Sequence, residues 1–301
     1  MSRSLKAHIL LILVTFVWGA TFVQIKNALH DITPLLFNAV RMALAAAVLA
    51  VIYRRHILAL RAPALKAGLW VGVFLALGYE FQTTGLKLTT ASKSGFLTGA
   101  SVALVPVFLV LFWRRKVRAW TAVGVVSAFI GLYLLTVPSS AAQGWKGDFA
   151  SVNFGDLLTL ICAISFAFQI ILLGRASQRH PFEQIAFLQV ATSAALLFVL
   201  APIMESPHSV WSARVLWAIL VTGILGTAVA FTIQAWAQQF LPPTNTALIF
   251  SLEPVFAWLT SYVVLGERLG ARAALGAVLI LAGVLLSEIL GGTSEAQAPA
   301  R

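Results

Sequence analysis

The sequence predicts an all-α integral membrane protein, with ten transmembrane helices arranged as two inverted five-helix repeats. Three observations carry that expectation. The 301 residues are 60% hydrophobic and only 10% charged, with a mean hydropathy of +0.92, whereas a soluble domain carries about 25% charged residues. The apolar residues gather into spans of roughly 20, the length needed to cross ~30 Å of hydrocarbon. The two halves of the chain also share landmarks in the same order.

In chain order the spans cover 8–26, 33–53, 66–86, 93–113, 119–137, 155–174, 183–203, 214–237, 244–265 and 270–290. Helices are expected because lipid offers no partner to an unpaired backbone amide, and a helix satisfies its amides internally. The first span follows Arg3 and Lys6 and lacks a small-residue cleavage site. It is also longer than a signal-peptide core, so it reads as a retained helix. Connections are short except for 138–154, rich in Ser, Ala and Gly. This gives a first repeat at 1–137, a connecting loop at 138–154, a second repeat at 155–290, and a tail at 291–301 expected to be disordered.

The net charge of +11 does not require a nucleic-acid partner. Arg54, Arg55, Arg114, Arg115 and Lys116 fall in turns on the side of the N-terminus, as the positive-inside rule expects for cytoplasmic termini. Cys162 is the single cysteine, which excludes a disulfide or a thiolate metal site within one chain. The sequence holds no phosphate-binding loop, no His-Glu-x-x-His and no metal-ligand cluster. No enzyme, no cofactor and no direct use of ATP is therefore expected.

The repeat constrains function more than any single residue. Pro106-Val107-Phe108 recurs as Pro254-Val255-Phe256, and Trp18-Gly19 meets Phe166-Ala167, both at an offset of 148. Gly124 and Gly131 meet Gly276 and Gly283 at 152, so a short insertion separates the landmarks. With five spans per half, the copies must lie in opposite orientations, the plan of secondary transporters that bind substrate near the bilayer midplane.

Several motifs then resemble the drug/metabolite transporter superfamily, specifically its EamA-type ten-helix transporters. They are Trp18-Gly19-Ala20-Thr21-Phe22, Arg41, the stretch from Thr90 to Gly99, Gly155-Asp156-Leu157-Leu158, and Phe250-Ser251-Leu252-Glu253-Pro254-Val255-Phe256 followed by Gly266-Glu267-Arg268. The pattern is similar to bacterial inner-membrane exporters of amino acids and other metabolites, including the YddG-type aromatic amino acid exporters. The resemblance implies a central cavity lined by spans 1, 3, 4, 6, 8 and 9, with spans 5 and 10 at the periphery. Span 1 lacks the embedded glutamate that small four-helix multidrug members of the superfamily use for proton coupling, which puts that route in doubt here.

Substrate-binding candidates come from helix faces and polarity. Trp18 and Phe22 share a face of span 1, Tyr79, Gln82 and Thr83 cluster on span 3, and Gln169 lies on span 6. Span 8 offers Gln234 and Trp236, and span 9 offers Phe250 and Glu253. Aromatic walls with a few amides and hydroxyls are the usual make-up of a small-molecule site. Glu253 stays open to two readings, a cavity carboxylate or an acceptor tied to a neighbouring helix. Arg41 reads as structural, and Glu80 as a salt-bridge partner of Lys87 or another loop base. Pro106 and Pro254 are expected to mark helix bends that serve gating.

These expectations combine into a monomeric secondary transporter in the bacterial inner membrane. It exports amino acids, aromatic ones favoured, and related amphipathic metabolites by alternating access. A broad drug or sugar-phosphate/nucleotide-sugar carrier is the alternative on the same fold. An intramembrane enzyme or scaffold is the alternative from another class.

Overall fold

The computed structural model describes residues 2–89, 91–137, 152–265 and 270–291. Of the expected connecting loop only 152–154 lies among them, and of the tail only 291. The turn at Gly266-Glu267-Arg268-Leu269 and Thr90 lie outside the described residues.

The chain opens with α1 (Arg3–Ala28), capped by the Ser2 side chain, and α2 (Pro34–Ile52), whose proline occupies the first turn where no amide donor is missed. The short α3 (Arg54–Leu58) turns the chain into α4 (Ala62–Leu88). Span 4 is divided into α5 (Ala91–Gly99) and α6 (Ser101–Trp113), and α7 (Ala119–Thr136) ends the first half. The second half starts at α8 (Phe154–Ser177), where Asn153 and Asp156 form a reciprocal capping box. Then come α9 (Phe182–Met204) and α10 (Ala213–Gly223), a π-helical turn over Ile224–Val229, and α11 (Ala230–Ala237). Span 9 is divided into α12 (Pro243–Phe250) and α13 (Glu253–Leu265), and α14 (Ala271–Gly291) closes the order.

Nine helical stretches among the described residues are long and apolar enough to cross a membrane. The tenth expected span, 244–265, is present in two pieces of 8 and 13 residues, parted at Ser251-Leu252, and neither piece crosses alone. Both interrupted spans break at corresponding places, at Ala100 in the first half and at Ser251-Leu252 in the second. Pro254 comes directly after its break, but Pro106 lies well inside α6. The two prolines therefore stand at different distances from the breaks in their spans.

The recurring glycines form the seam between the halves. A Cβ on Gly124 would come within 2.5 Å of the Gly283 carbonyl, and one on Gly131 within 2.6 Å of the Gly276 carbonyl. α7 and α14 thus cross antiparallel with backbone on backbone, and the Ser127 hydroxyl donates to the Leu279 carbonyl at 2.9 Å between them. Small residues at such a crossing are how membrane helices pack without a hydrophobic driving force. The outer faces of the pair carry exposed Trp120, Val123 and Ile130 on α7 and Leu275, Val278 and Leu285 on α14, an apolar stripe at helical spacing that suits lipid.

Successive spans reverse direction, so the bundle has two ends. The near end, where the chain starts, joins His8 to Glu288, the Gln184 amide to the His56 carbonyl, and Arg175 to the Trp113 ring. The far end joins Asp31 to Arg214, Thr33 to His208, and Thr89 to Asp156.

A candidate substrate cavity between the two repeats

A cavity of about 360 Å³ opens between the halves, within the range that holds small ligands. It runs from Ile25, Leu86 and Ser94 toward the far end down to Phe166, Gln169 and Gln234 at mid-depth. No residue of the near-end turns lines it.

The floor is a cluster of buried glutamines. Gln169 donates to Gln189 at 3.0 Å and exchanges longer contacts with Gln234 at 3.5 and 3.4 Å. One step nearer the N-terminal end, the Gln238 and Gln239 amides donate to the Ile170 and Ser177 carbonyls, both at 3.0 Å. Buried amides need such partners, and here the contacts among α8, α9 and α11 meet that need in part, leaving Gln189 Nε2 and Gln238 Oε1 without one. This floor lies on the near side of the cavity.

The walls are aromatic. Trp18 lies 5.0 Å from Phe250 and 5.9 Å from Phe231 between ring centroids, and Tyr79 meets Phe166 edge-on at 5.6 Å. Trp18 is held by its indole N–H, which donates to the Gly226 carbonyl at 2.8 Å. Gly226 belongs to the π-helical turn, and such turns free a backbone group where an extra residue is squeezed in. Below Trp18, Gly19 packs on the backbone of Glu253 and Ala257, where any Cβ would lie 2.7–2.9 Å from its neighbours. That contact brings span 1 against the broken span 9.

At the break, the Ser251 amide turns back to the Ala247 and Leu248 carbonyls, and Pro254 has no N–H to offer the Phe250 carbonyl. Glu253 begins α13, where a helix N-terminus favours negative charge, and its side chain lines the cavity.

Of the residues expected at the site, Trp18, Tyr79, Gln82, Gln169, Phe250 and Glu253 line this cavity. The side chain of Phe22 lies outside the described residues. Thr83 does not line it: its hydroxyl donates to the Tyr79 carbonyl at 2.7 Å and accepts from Asn38 at 3.1 Å. Trp236 does not line it either. It packs at the near end against Phe240 at 5.1 Å, with the Lys6 ammonium 5.6 Å from its ring. Gln234 lines the cavity, and Trp236, two residues on and so on the opposite face of α11, points away.

The main addition is Arg41. It is 5% exposed, lines the cavity, and holds its guanidinium 4.7 Å from the centre of the Tyr79 ring. The side chain turns into the bundle, where the Tyr79 ring supports it, so its structural role stands beside a place in the cavity wall. Asn38, one turn before it on α2, joins it at the wall. Glu80 is 2% exposed and accepts from the Thr84 hydroxyl at 3.0 Å; the side chain of Lys87, its expected partner, lies outside the described residues.

Comparison with known proteins agrees with this architecture. A profile of the EamA-like transporter family matches residues 5–137 and again 153–289. A protein of Archaeoglobus fulgidus, described as an uncharacterized transporter, is 33% identical over 286 residues, covering 94% of this chain and 86% of the relative. The uncharacterized transporter YoaV of Bacillus subtilis is 25% identical, over 92% of this chain and 94% of its own. One solved crystal structure superposes with a TM-score of 0.78 over 97% of this chain and 99% of the other at 18% identity, a likeness of fold. With two family matches over two inverted halves and a cavity between them, this chain is a multi-pass membrane transporter and belongs to the EamA-like transporter family.

Proposed function

We propose that this transporter exports amino acids, aromatic ones favoured, and related small amphipathic metabolites by alternating access. It works as a monomer in a bacterial inner membrane with both termini in the cytoplasm. The observation that carries the reading is the aromatic wall of Trp18, Tyr79, Phe166, Phe231 and Phe250 around a cavity of about 360 Å³. Rings at these spacings offer faces for an apolar or aromatic side chain, and the glutamine floor supplies amide partners at its base.

Alternating access fits the two ends of the cavity. The far side is open to mid-depth, while the near side is shut by neutral hydrogen bonds that water can replace one by one. With the termini in the cytoplasm, this arrangement faces outward. A sugar-phosphate or other anion carrier is favoured by one observation, the buried cation of Arg41 in the wall.

Uptake of labelled phenylalanine, tryptophan and threonine into proteoliposomes, with and without an imposed pH gradient, tests the reading. Saturable flux of the aromatic solutes is the expected result. Flux of sugar phosphates with none of any amino acid would replace it by the anion-carrier reading.

A further inference from the structure

The cavity receives one charge from each repeat, and among the described residues no ion pair joins the two. Arg41 comes from α2 and Glu253 from the start of α13. Among the described residues neither takes part in an ion pair. The Nε of Arg41 is buried without a hydrogen-bond partner. A guanidinium taken out of water is costly unless its donors are met, and a ring face at 4.7 Å meets only part of that need. The fork of five donors is shaped for a carboxylate. Glu253 is the complementary case, a carboxylate at cavity depth beside a proline that cannot continue the hydrogen-bond ladder. Carboxylates kept within membrane spans face a partner or a wet cavity.

From this juxtaposition we infer that Arg41 and Glu253 form a zwitterion site, in which Arg41 takes the α-carboxylate of a free amino acid and Glu253 its α-ammonium. The side chain of the ligand then lies along the rings of Tyr79, Phe166 and Phe250. The inference rests on the amino-acid reading above and sharpens it: the free main-chain groups are recognised, and the ring fills the rest. Solutes carrying only one of the two charges leave the other protein charge buried and unmatched, which is how a polar site rejects an analogue that lacks a group. The zwitterion is thereby favoured over a sugar phosphate, whose anion satisfies Arg41 but brings a second negative charge toward Glu253.

The test compares phenylalanine with phenethylamine, which lacks the carboxylate, and with 3-phenylpropionate, which lacks the amine. Thermal stabilisation of the purified wild-type protein by each solute reports binding, and proteoliposome counterflow reports transport. Phenylalanine is expected to bind roughly tenfold to a hundredfold more tightly than either analogue, the range for a lost charged hydrogen bond. Arg41→Gln should erase the preference for phenylalanine over phenethylamine, and Glu253→Gln the preference over 3-phenylpropionate. Equal binding of the three solutes by the wild type overturns the zwitterion site and leaves the aromatic reading in place. This arm needs no variant, so a poorly folded substitution does not blunt it. Threonine binding with the same response to the two substitutions, and no phenylalanine binding, removes the aromatic preference while the zwitterion site stands. No stabilisation by any amino acid overturns both.

Discussion

Two sets of contacts around the cavity are built on opposite principles, one between the repeats and one within the second repeat. At the α7–α14 crossing, backbone lies on backbone at Gly124, Gly131, Gly276 and Gly283. At the cavity floor, the neutral amides of Gln169, Gln189 and Gln234, from α8, α9 and α11 of the second repeat, bond to one another. The first seam has no slack, because a packed interface of main-chain atoms has one arrangement. The second is made of groups that can exchange partners with water at little enthalpic loss. On the alternating-access proposal, the glycine seam between the halves is the part that stays, and the amide cluster within the second half the part that opens.

The largest expected effect comes from breaking the fixed seam. A side chain at Gly131 would place its first carbon 2.6 Å from the Gly276 carbonyl and 2.8 Å from the Ile280 amide. Overpacking of this kind costs about 1–3 kcal/mol and more when backbone must move. Gly131→Leu is expected to lower the melting temperature of the purified protein sharply and to reduce its amount in the membrane. Gly270→Ala, with nothing within 4 Å of the new carbon, should melt with the parent. Equal behaviour of the two would mean that α7 and α14 are not held by this contact.

Substituting the opening seam should change the conformational balance while the fold survives. Gln169→Leu leaves the Gln189 and Gln234 amides facing an apolar group, and each unmet buried group costs about 1–3 kcal/mol. That cost applies to the near-closed state, so the population shifts toward the near-open one by roughly tenfold per 1.4 kcal/mol. A cysteine placed at Ala237, fully buried below the floor, should then react faster with a thiol reagent applied from the near end. Native Cys162 is itself buried and contributes little background. An unchanged labelling rate would show that the glutamines are not what keeps the near end shut.

The difference between the seams also marks how far the sequence could be read. The glycine seam was legible because Gly124 and Gly131 recur as Gly276 and Gly283 at one spacing, and a small residue has a single use at a helix crossing. The cavity was legible in its residue types but not in its phase. Tyr79 and Gln82 face inward, yet Thr83 beside them spends its hydroxyl on a backbone carbonyl, a local bond no polarity pattern reveals. Of the two residues that span 8 offers, Gln234 and Trp236, only Gln234 lines the cavity, because residues two apart on a helix face opposite sides. Arg41 reads as a snorkelling residue because its depth in span 2 is visible and the ring that covers it is not. Tyr79 comes from another helix, so only the packing of α2 beside α4 discloses the contact. Pro106 stands inside α6, six residues after the interruption at Ala100, so in the first half the break is not at the proline.

The smallest effect belongs to the far-end tie, the place where the two repeats meet in water. Asp31 accepts from the Ser212 hydroxyl at 2.6 Å and from Arg214 at 3.0 Å. The Ser212 hydrogen bond first, and the Arg214 guanidinium after it, hold its carboxyl below the ordinary 3.8. A carboxyl depressed on folding adds stability above its unfolded value and loses it as the pH falls through the folded one. The tie should therefore be constant from pH 8 to about 5 and fail only in acid below the usual carboxylate range. The same turn is also held by the Thr33 amide on the His208 carbonyl at 2.9 Å and the Val210 amide on the Asp31 carbonyl at 2.7 Å, backbone bonds that a side-chain change leaves alone. Asp31→Asn is accordingly expected to shift the melting temperature slightly at pH 7, to leave transport unchanged there, and to shrink the loss of stability between pH 5 and pH 3. A large fall in transport at pH 7 would move Asp31 from a surface tie to part of the opening seam, and the contrast between the two seams would then have to be drawn at both ends of the bundle.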